Sequence, residues 1–166
     1  MKSKKMLLPD HIFEDVLRID PAFFADNGIR YLISDIDNTL ATYAEAVPSE
    51  RIRAWLDAVG ETGVSVALIS NNSASRVARF NGPLGFPVCS RAGKPFAGRL
   101  RRLMAGLGAD PEQTCLLGDQ LFTDVLCAHR AGIRAVLVDS IDVAGRPFLR
   151  MRKRIEARIL RKNGLK

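Results

Sequence analysis

Apolar residues in this chain fall into two alternating rhythms. Short, nearly unbroken runs occur at Tyr31-Leu32-Ile33, Val64 to Ile69, Phe86 to Cys89, Thr114 to Leu117 and Ile133 to Val138. Each run is bounded by polar or turn residues, and runs of that length read as strands covered on both faces. Between them the spacing becomes helical. Ser49 caps a segment with Ile52, Trp55, Leu56 and Val59 on one side, and Gly63 ends it. A shorter helix is predicted near Ser75 to Phe80, before Gly82-Pro83. Pro95 suits the first turn of a third helix, through Leu100, Leu103 and Met104 to Gly106. A fourth follows Asp119 and ends before Gly132. Alternating strand and helix predict an α/β fold, a Rossmann-like three-layer sandwich around a central parallel sheet. Ligands of such sheets sit outside the carboxyl ends of the strands.

The polar residues at those ends carry the chemistry. Asp35 and Asp37 close the run at Tyr31, one residue apart. Two carboxylates that close cannot both ionise freely without a cation between them. Mg²⁺ is the expected cation, being hard, oxygen-seeking and able to keep coordination sites open for a phosphate. The next strand exits at Ser70-Asn71-Asn72, and a later one at Gly118-Asp119 with Asp124 further on; Lys94 lies between them. Each piece alone has an ordinary reading. An Asp-x-Asp can cap a loop, Ser-Asn-Asn is turn chemistry, and an aspartate is favourable at a helix start. Topology, however, brings the strand exits to one edge, and that convergence outweighs any single motif. His11 and His129 have no matching partners and read as structural or solvent-facing, and Trp55 reads as core.

Asp35-x-Asp37-x-Thr39, Ser70, Lys94 and Gly118-Asp119 with Asp124, in that order, resemble the haloacid dehalogenase (HAD) superfamily of phosphatases. The resemblance runs from about Ile29 to Val138. Leu8-Pro9-Asp10, Gly28-Ile29, Asp35 to Leu40, Ser70-Asn71-Asn72 and Gly118-Asp119-Gln120 look closest to its YqeG-type subgroup, which is similar to phosphatidylglycerophosphate phosphatase. The resemblance implies a HAD-like fold and a phosphoric monoester hydrolase. Asp35 would attack phosphorus and Asp37 would act as acid and then base. Ser70, Asn71 and Lys94 would hold the phosphate, with Lys94 offsetting developing charge. Asp35, Asp119 and the backbone carbonyl of Asp37 would bind Mg²⁺, while Asp124 is either a further ligand or a supporting partner. Asp37 to Ser70 has room only for a loop, a helix and a strand, and Ser70 to Lys94 is shorter still. No large cap domain fits there, so the site should be open to a phosphate carried on something large.

Composition adds a second theme. With 166 residues, 47% hydrophobic and 26% charged, the chain can bury a sizeable core in one domain. The opening Met1 to Pro9 is basic but its apolar part stops at Pro9, too short for an export signal. Cys89, Cys115 and Cys127 lack metal-ligand spacing and read as small apolar residues of a reduced, cytoplasmic protein. The net charge is +7, yet from Arg146 onward nine basic residues face one acid, Glu156, so the rest of the chain is close to neutral. The expected division is a phosphatase domain over 1–145 and a basic amphipathic helix over 146–166. In that helix Pro147 comes first, Phe148, Met151, Ile155 and Ile159 share one face, and Arg150, Arg154 and Arg161 lie broadly opposite. It suits peripheral contact with an anionic membrane at its inner face, or packs its apolar stripe on the domain. Because every motif residue precedes Asp139, turnover of a small soluble phosphate is expected not to depend on this tail. A phospholipid substrate fits the open site and the tail. A nucleotide or other soluble phosphate ester is the alternative, as is an RNA- or ribosome-associated factor. Nucleic acid is the weaker reading, because the tail has neither an RNP-type motif nor interleaved aromatics.

Overall fold

The structure, a computed structural model, describes residues 6–166. The basic opening Met1 to Lys5, read above against an export signal, lies outside the described residues. In chain order the elements are β1 (His11–Phe13), α1 (Ala22–Asp26), β2 (Tyr31–Asp35), α2 (Glu50–Glu61), β3 (Ser65–Ile69), α3 (Ala74–Asn81), β4 (Val88–Cys89), α4 (Gly98–Leu107), β5 (Thr114–Gly118), α5 (Leu126–Ala131), β6 (Arg134–Val138) and α6 (Pro147–Lys162). A π-helical turn, Leu121–Val125, leads directly into α5.

The strands form a single six-stranded sheet in the order β1-β6-β5-β2-β3-β4. Every pairing is parallel, with Tyr31 opposite Ser65 on one side of β2 and opposite Thr114 on the other. Side chains alternate between two cores, as a strand period of two requires. Leu32, Val66, Leu68, Cys115, Leu117 and Val136 face a core that includes Phe24, Ile52, Trp55, Leu56 and Phe80. Ile33, Ala67, Ile69, Leu116, Ala135 and Leu137 face the opposite core with Leu100, Met104, Ala128 and Leu160. The predicted three-layer arrangement is therefore present, and no large cap interrupts it. Trp55 is core as expected, with its indole N–H donating to the Ile19 carbonyl at 2.8 Å. Ser49 caps α2 by accepting from the Ile52 amide.

Two local expectations are corrected. Strand β1 was not foreseen. It is three residues long at the sheet edge, too short to display a period. Pro95 does not open a helix: α4 begins at Gly98, and Pro95 lies in the turn before it.

One of the two readings given for α6 does not hold. Its apolar stripe does not pack on the domain, for Phe148, Met151 and Ile155 are 69%, 53% and 44% exposed. Only Ile159 of that stripe is partly covered, against the second core. The helix docks instead through Leu160 and the carboxylate of Glu156, 4% and 3% exposed. No helix among the described residues is long and apolar enough to cross a membrane.

Candidate active site

Central strand β2 has β3 on one side and β5 on the other, so the chain reverses its direction of growth across the sheet there. A crevice opens at the carboxyl ends of strands at such a switch point. Asp35 ends β2, Ser70 follows β3, Asp119 follows β5, and the loop after β4 brings in Lys94. All four are buried, together with Asp37 and Asp124. They line, except for Asp119, a cleft of about 420 Å³ that also includes Tyr43, Asn71, Asn72, Phe148 and Arg152.

The centre is a charge cluster. Lys94 Nζ lies 2.7 Å from Asp35 Oδ1 and 2.6 Å from Asp124 Oδ1. The Thr39 hydroxyl donates to Asp35 Oδ2 at 3.1 Å. Ser140 donates to the Asp119 carboxylate, and Lys153 of α6 approaches the same carboxylate at 3.6 Å while donating to the Asp119 carbonyl. Burial pushes Asp35 up to about 8 against the pull of Lys94, and Asp124 and Asp119 add to the rise. Burial likewise pushes Asp119 up to about 6, opposed mainly by Lys153. For Lys94 burial acts against the charge, but Asp124 and Asp35 outweigh it and hold the ammonium above its ordinary range. Two buried carboxylates, Asp35 and Asp124, thus share the buried Lys94 ammonium, and a third, Asp119, lies beside them facing the half-sheltered Lys153. Asp35, Asp119 and Asp124 each offer an oxygen within 4.8 Å of the others. This surplus of hard, anionic oxygen fits a divalent cation such as Mg²⁺.

Asp37 is kept apart from that cluster. Its carboxylate pairs with Arg76 at 3.1 Å and accepts from Asn72 Nδ2 at 3.2 Å and from the Ser70 hydroxyl at 3.4 Å. Arg76 also donates to the carbonyls of Thr42 and Glu45, tying α3 to the loop after β2. Two carboxylates one residue apart therefore occupy different environments. The turn between Asp37 and Thr39 needs a left-handed residue, and Asn38, at φ 64°, is of the type that tolerates it.

Asp124 has both oxygens engaged. Oδ1 meets Lys94, and Oδ2 accepts from the amides of Asp119 and Gln120 at 3.2 and 3.1 Å. The next two amides, Leu121 and Phe122, donate to Glu156 Oε1 at 2.9 and 3.4 Å. Two carboxylates from different elements thus satisfy four successive amides leading into the π-helical turn, groups that a helix start leaves unpaired. Gly118 is sterically required beside them, because a Cβ there would stand 2.3 Å from Asp124 Cγ. The side chain of Asn71 braces Lys94, donating to its carbonyl at 3.0 Å and accepting from its amide at 2.8 Å.

The fold brings Asp35, Asp37, Ser70, Asn71, Lys94, Asp119 and Asp124 into one site. The sequence reading missed Arg76, Arg152, Lys153 and Glu156. The last two have no positional signature, and Arg76 would show only as a helix residue one turn past Ser73. Their place also corrects the expectation that the tail is separate from the site. Phe148, Leu149 and Arg152 line the cleft, and Lys153 reaches Asp119. His129, expected to be structural or solvent-facing, faces Asp10 at 3.1 Å and the Met6 carbonyl at 2.9 Å, away from the cleft residues. The three cysteines are free, and Cys115 and Cys127 are buried.

Comparison with known proteins places the chain among phosphatases and hydrolases of one family. The family model described as "HAD-hyrolase-like" matches residues 91–146. The chain is 32% identical to the probable phosphatase YqeG of Bacillus subtilis over 157 residues, covering 95% of this chain and 91% of that one. It is 27% identical to the chloroplastic phosphatidylglycerophosphate phosphatase 1 of Chlamydomonas reinhardtii, over 93% of this chain and 61% of that longer protein. The cobalt-bound deoxy-D-mannose-octulosonate 8-phosphate phosphatase of Haemophilus influenzae shares the fold. Its TM-score is 0.55 at 18% identity, over 83% of this chain and 91% of that one.

Proposed function

The chain belongs to the YqeG-type phosphatases of the HAD superfamily, and from that premise we propose a Mg²⁺-dependent phosphomonoester hydrolase that works through an aspartyl-phosphate on Asp35. The observation that carries this reading is the buried Asp35 carboxylate held by Lys94 at 2.7 Å and by Thr39 at 3.1 Å, at the floor of an open cleft. Asp35 and Asp119, with the backbone carbonyl of Asp37, would hold Mg²⁺, which neutralises charge between a carboxylate and a phosphate dianion. Asp35 attacks phosphorus, and the bond from phosphorus to the leaving oxygen breaks. Asp37 protonates that oxygen and later takes a proton from the water that cleaves the acyl phosphate. Arg76 fixes its carboxylate for both tasks. The Ser70 hydroxyl and the backbone amide of Asn71 hold a phosphoryl oxygen. Lys94 offsets the developing charge. With both oxygens engaged, Asp124 serves to aim Lys94 and to set the Asp119 backbone.

The proposed substrate is a phospholipid monoester such as phosphatidylglycerophosphate, met at an anionic membrane surface. Three features support it: the open cleft, the substrate for which the algal relative is named, and the exposed face of α6. Phe148, Met151 and Ile155 stand out from the protein on a helix that also carries Arg150, Arg154 and Arg158, as in helices that lie in a membrane interface. The test is a phosphate-release screen with Mg²⁺, comparing phosphatidylglycerophosphate in mixed micelles with nucleotides and sugar phosphates. At least tenfold higher kcat/KM for the lipid is expected. Equal or better turnover of a nucleotide would move the assignment to soluble esters.

A further inference from the structure

The cleft contains two cations in unlike situations. Lys94 is committed to Asp35 and Asp124 at 2.7 and 2.6 Å. Arg152, on the α6 wall, is not so committed. Its nearest carboxylate oxygen is Glu156 Oε1, at 3.9 Å, which already accepts from the Leu121 and Phe122 amides. Among the described residues no guanidinium N–H of Arg152 makes a hydrogen bond; the group lies over the Phe122 ring at 5.8 Å. Its side chain is about one-fifth exposed, so it is sheltered but reachable. A partly desolvated guanidinium with open donors is a fork for a planar or tetrahedral oxyanion. The scissile phosphate is already provided for by Lys94, Ser70 and the metal-binding carboxylates. Arg152 therefore has no task left at that phosphate, while Phe148 and Leu149 beside it give the same wall an apolar surface.

We propose that Arg152 is a specificity-determining residue that binds a second anionic group, a phosphodiester or equivalent oxyanion, on the leaving group of the substrate. This deepens the phosphatase reading above and rests on the scissile phosphate sitting at Asp35. It makes α6 part of the substrate site as well as a surface element. The leaving group chosen is one with a negative charge a few bonds from the ester oxygen. Esters without that charge leave the guanidinium desolvated and unanswered.

The experiment uses three substrates: glycerol 3-phosphate, the soluble deacylated compound glycerophosphoglycerophosphate, and phosphatidylglycerophosphate in mixed micelles. The full-length protein is expected to favour the deacylated diester over glycerol 3-phosphate by about tenfold or more in kcat/KM, the scale of a hydrogen bond to a charged group. Arg152→Gln should bring that ratio close to one, and Arg152→Lys should keep part of it. If Arg152→Gln lowers both substrates by the same factor, the residue is structural and the proposal falls. If the preference exists only for the micellar lipid, the protein reads acyl chains or the surface, and the proposal also falls. A binding measurement separates this from the catalytic reading. On the Asp35→Asn background, calorimetry with the deacylated compound should show Kd rising about tenfold when Arg152→Gln is added. An unchanged Kd overturns the subsite whatever the turnover. A tenfold change without turnover by the unmutated enzyme upholds the subsite and sinks hydrolysis of this ester.

Discussion

At the scale of single residues, the site depends on carboxylates whose surroundings differ. Asp35 faces Lys94 and two further buried aspartates, whereas Asp37 faces Arg76, Ser70 and Asn72. Asp35→Asn keeps the shape but cannot form the acyl phosphate, so turnover of an aryl phosphate should fall by several orders of magnitude. Asp37→Asn should let phosphorylated protein accumulate with a good leaving group. Mass spectrometry after an acid quench should place the added phosphate on Asp35, and a phosphate on Ser70 would refute the mechanism. Gly118 makes a separate point. A methyl group there meets the Asp124 carboxylate at 2.3 to 2.5 Å, so Gly118→Ala must displace the group that aims Lys94. We expect a loss of about 1–3 kcal/mol in stability, the usual cost of overpacking. The accompanying fall in kcat should exceed what that leaves unfolded. Thermal melts and steady-state rates on one preparation check both, and an unchanged kcat would mean that Asp124 moves without consequence.

At the scale of elements, α6 has two faces with different duties. The inner face carries Glu156, whose buried carboxylate accepts from the Leu121 and Phe122 amides and pairs with Lys153 at 3.2 Å. Glu156→Ala leaves those amides unanswered, which should cost about 1–3 kcal/mol in urea unfolding. It should also slow soluble-substrate turnover, because the amides adjoin Asp119. That outcome is opposite to what the sequence alone led one to expect of the tail, and unaltered rates would restore the older view. The outer face carries Met151 and Ile155, half exposed and absent from the cleft lining. Met151→Ser with Ile155→Ser should leave the melting temperature within a degree or two. Sedimentation with anionic vesicles should show binding reduced about thirtyfold, given roughly 1 kcal/mol for each of the two inserted side chains. Equal sedimentation of variant and parent would remove α6 as the membrane anchor.

For the whole molecule, the proposed metal site would link cation binding to folding. Asp35, Asp119 and Asp124 are buried close together with one buried lysine, a net negative arrangement that exists only in the folded chain. A cation that binds only the folded state stabilises it by about 2.7 kcal/mol at a hundred times its Kd. Chelation should therefore lower the melting temperature by several degrees, and millimolar Mg²⁺ should restore it. The same addition to Asp119→Asn should give a clearly smaller shift. A Mg²⁺-independent melt would leave the cluster without its proposed ligand.

Much of this protein was already written in its sequence. The apolar runs ending at Asp35, Ser70 and Gly118 define parallel strands, and their polar exits define one edge of the sheet. Both are short-range patterns, so periodicity and strand length reveal them. The order of those exits sufficed to indicate the HAD-type site. Tertiary structure alone decided which face of α6 would dock. Periodicity correctly grouped Phe148, Met151 and Ile155, but the hydrophobic face is normally the buried one, and here it is not. The choice was made by unpaired amides at Leu121 and Phe122, some 35 residues away, which the Glu156 carboxylate satisfies. Arg76 on Asp37, 39 residues apart, was settled in the same manner. Hydrogen bonds between distant segments leave no period in a sequence. They form only once the sheet has set the segments side by side.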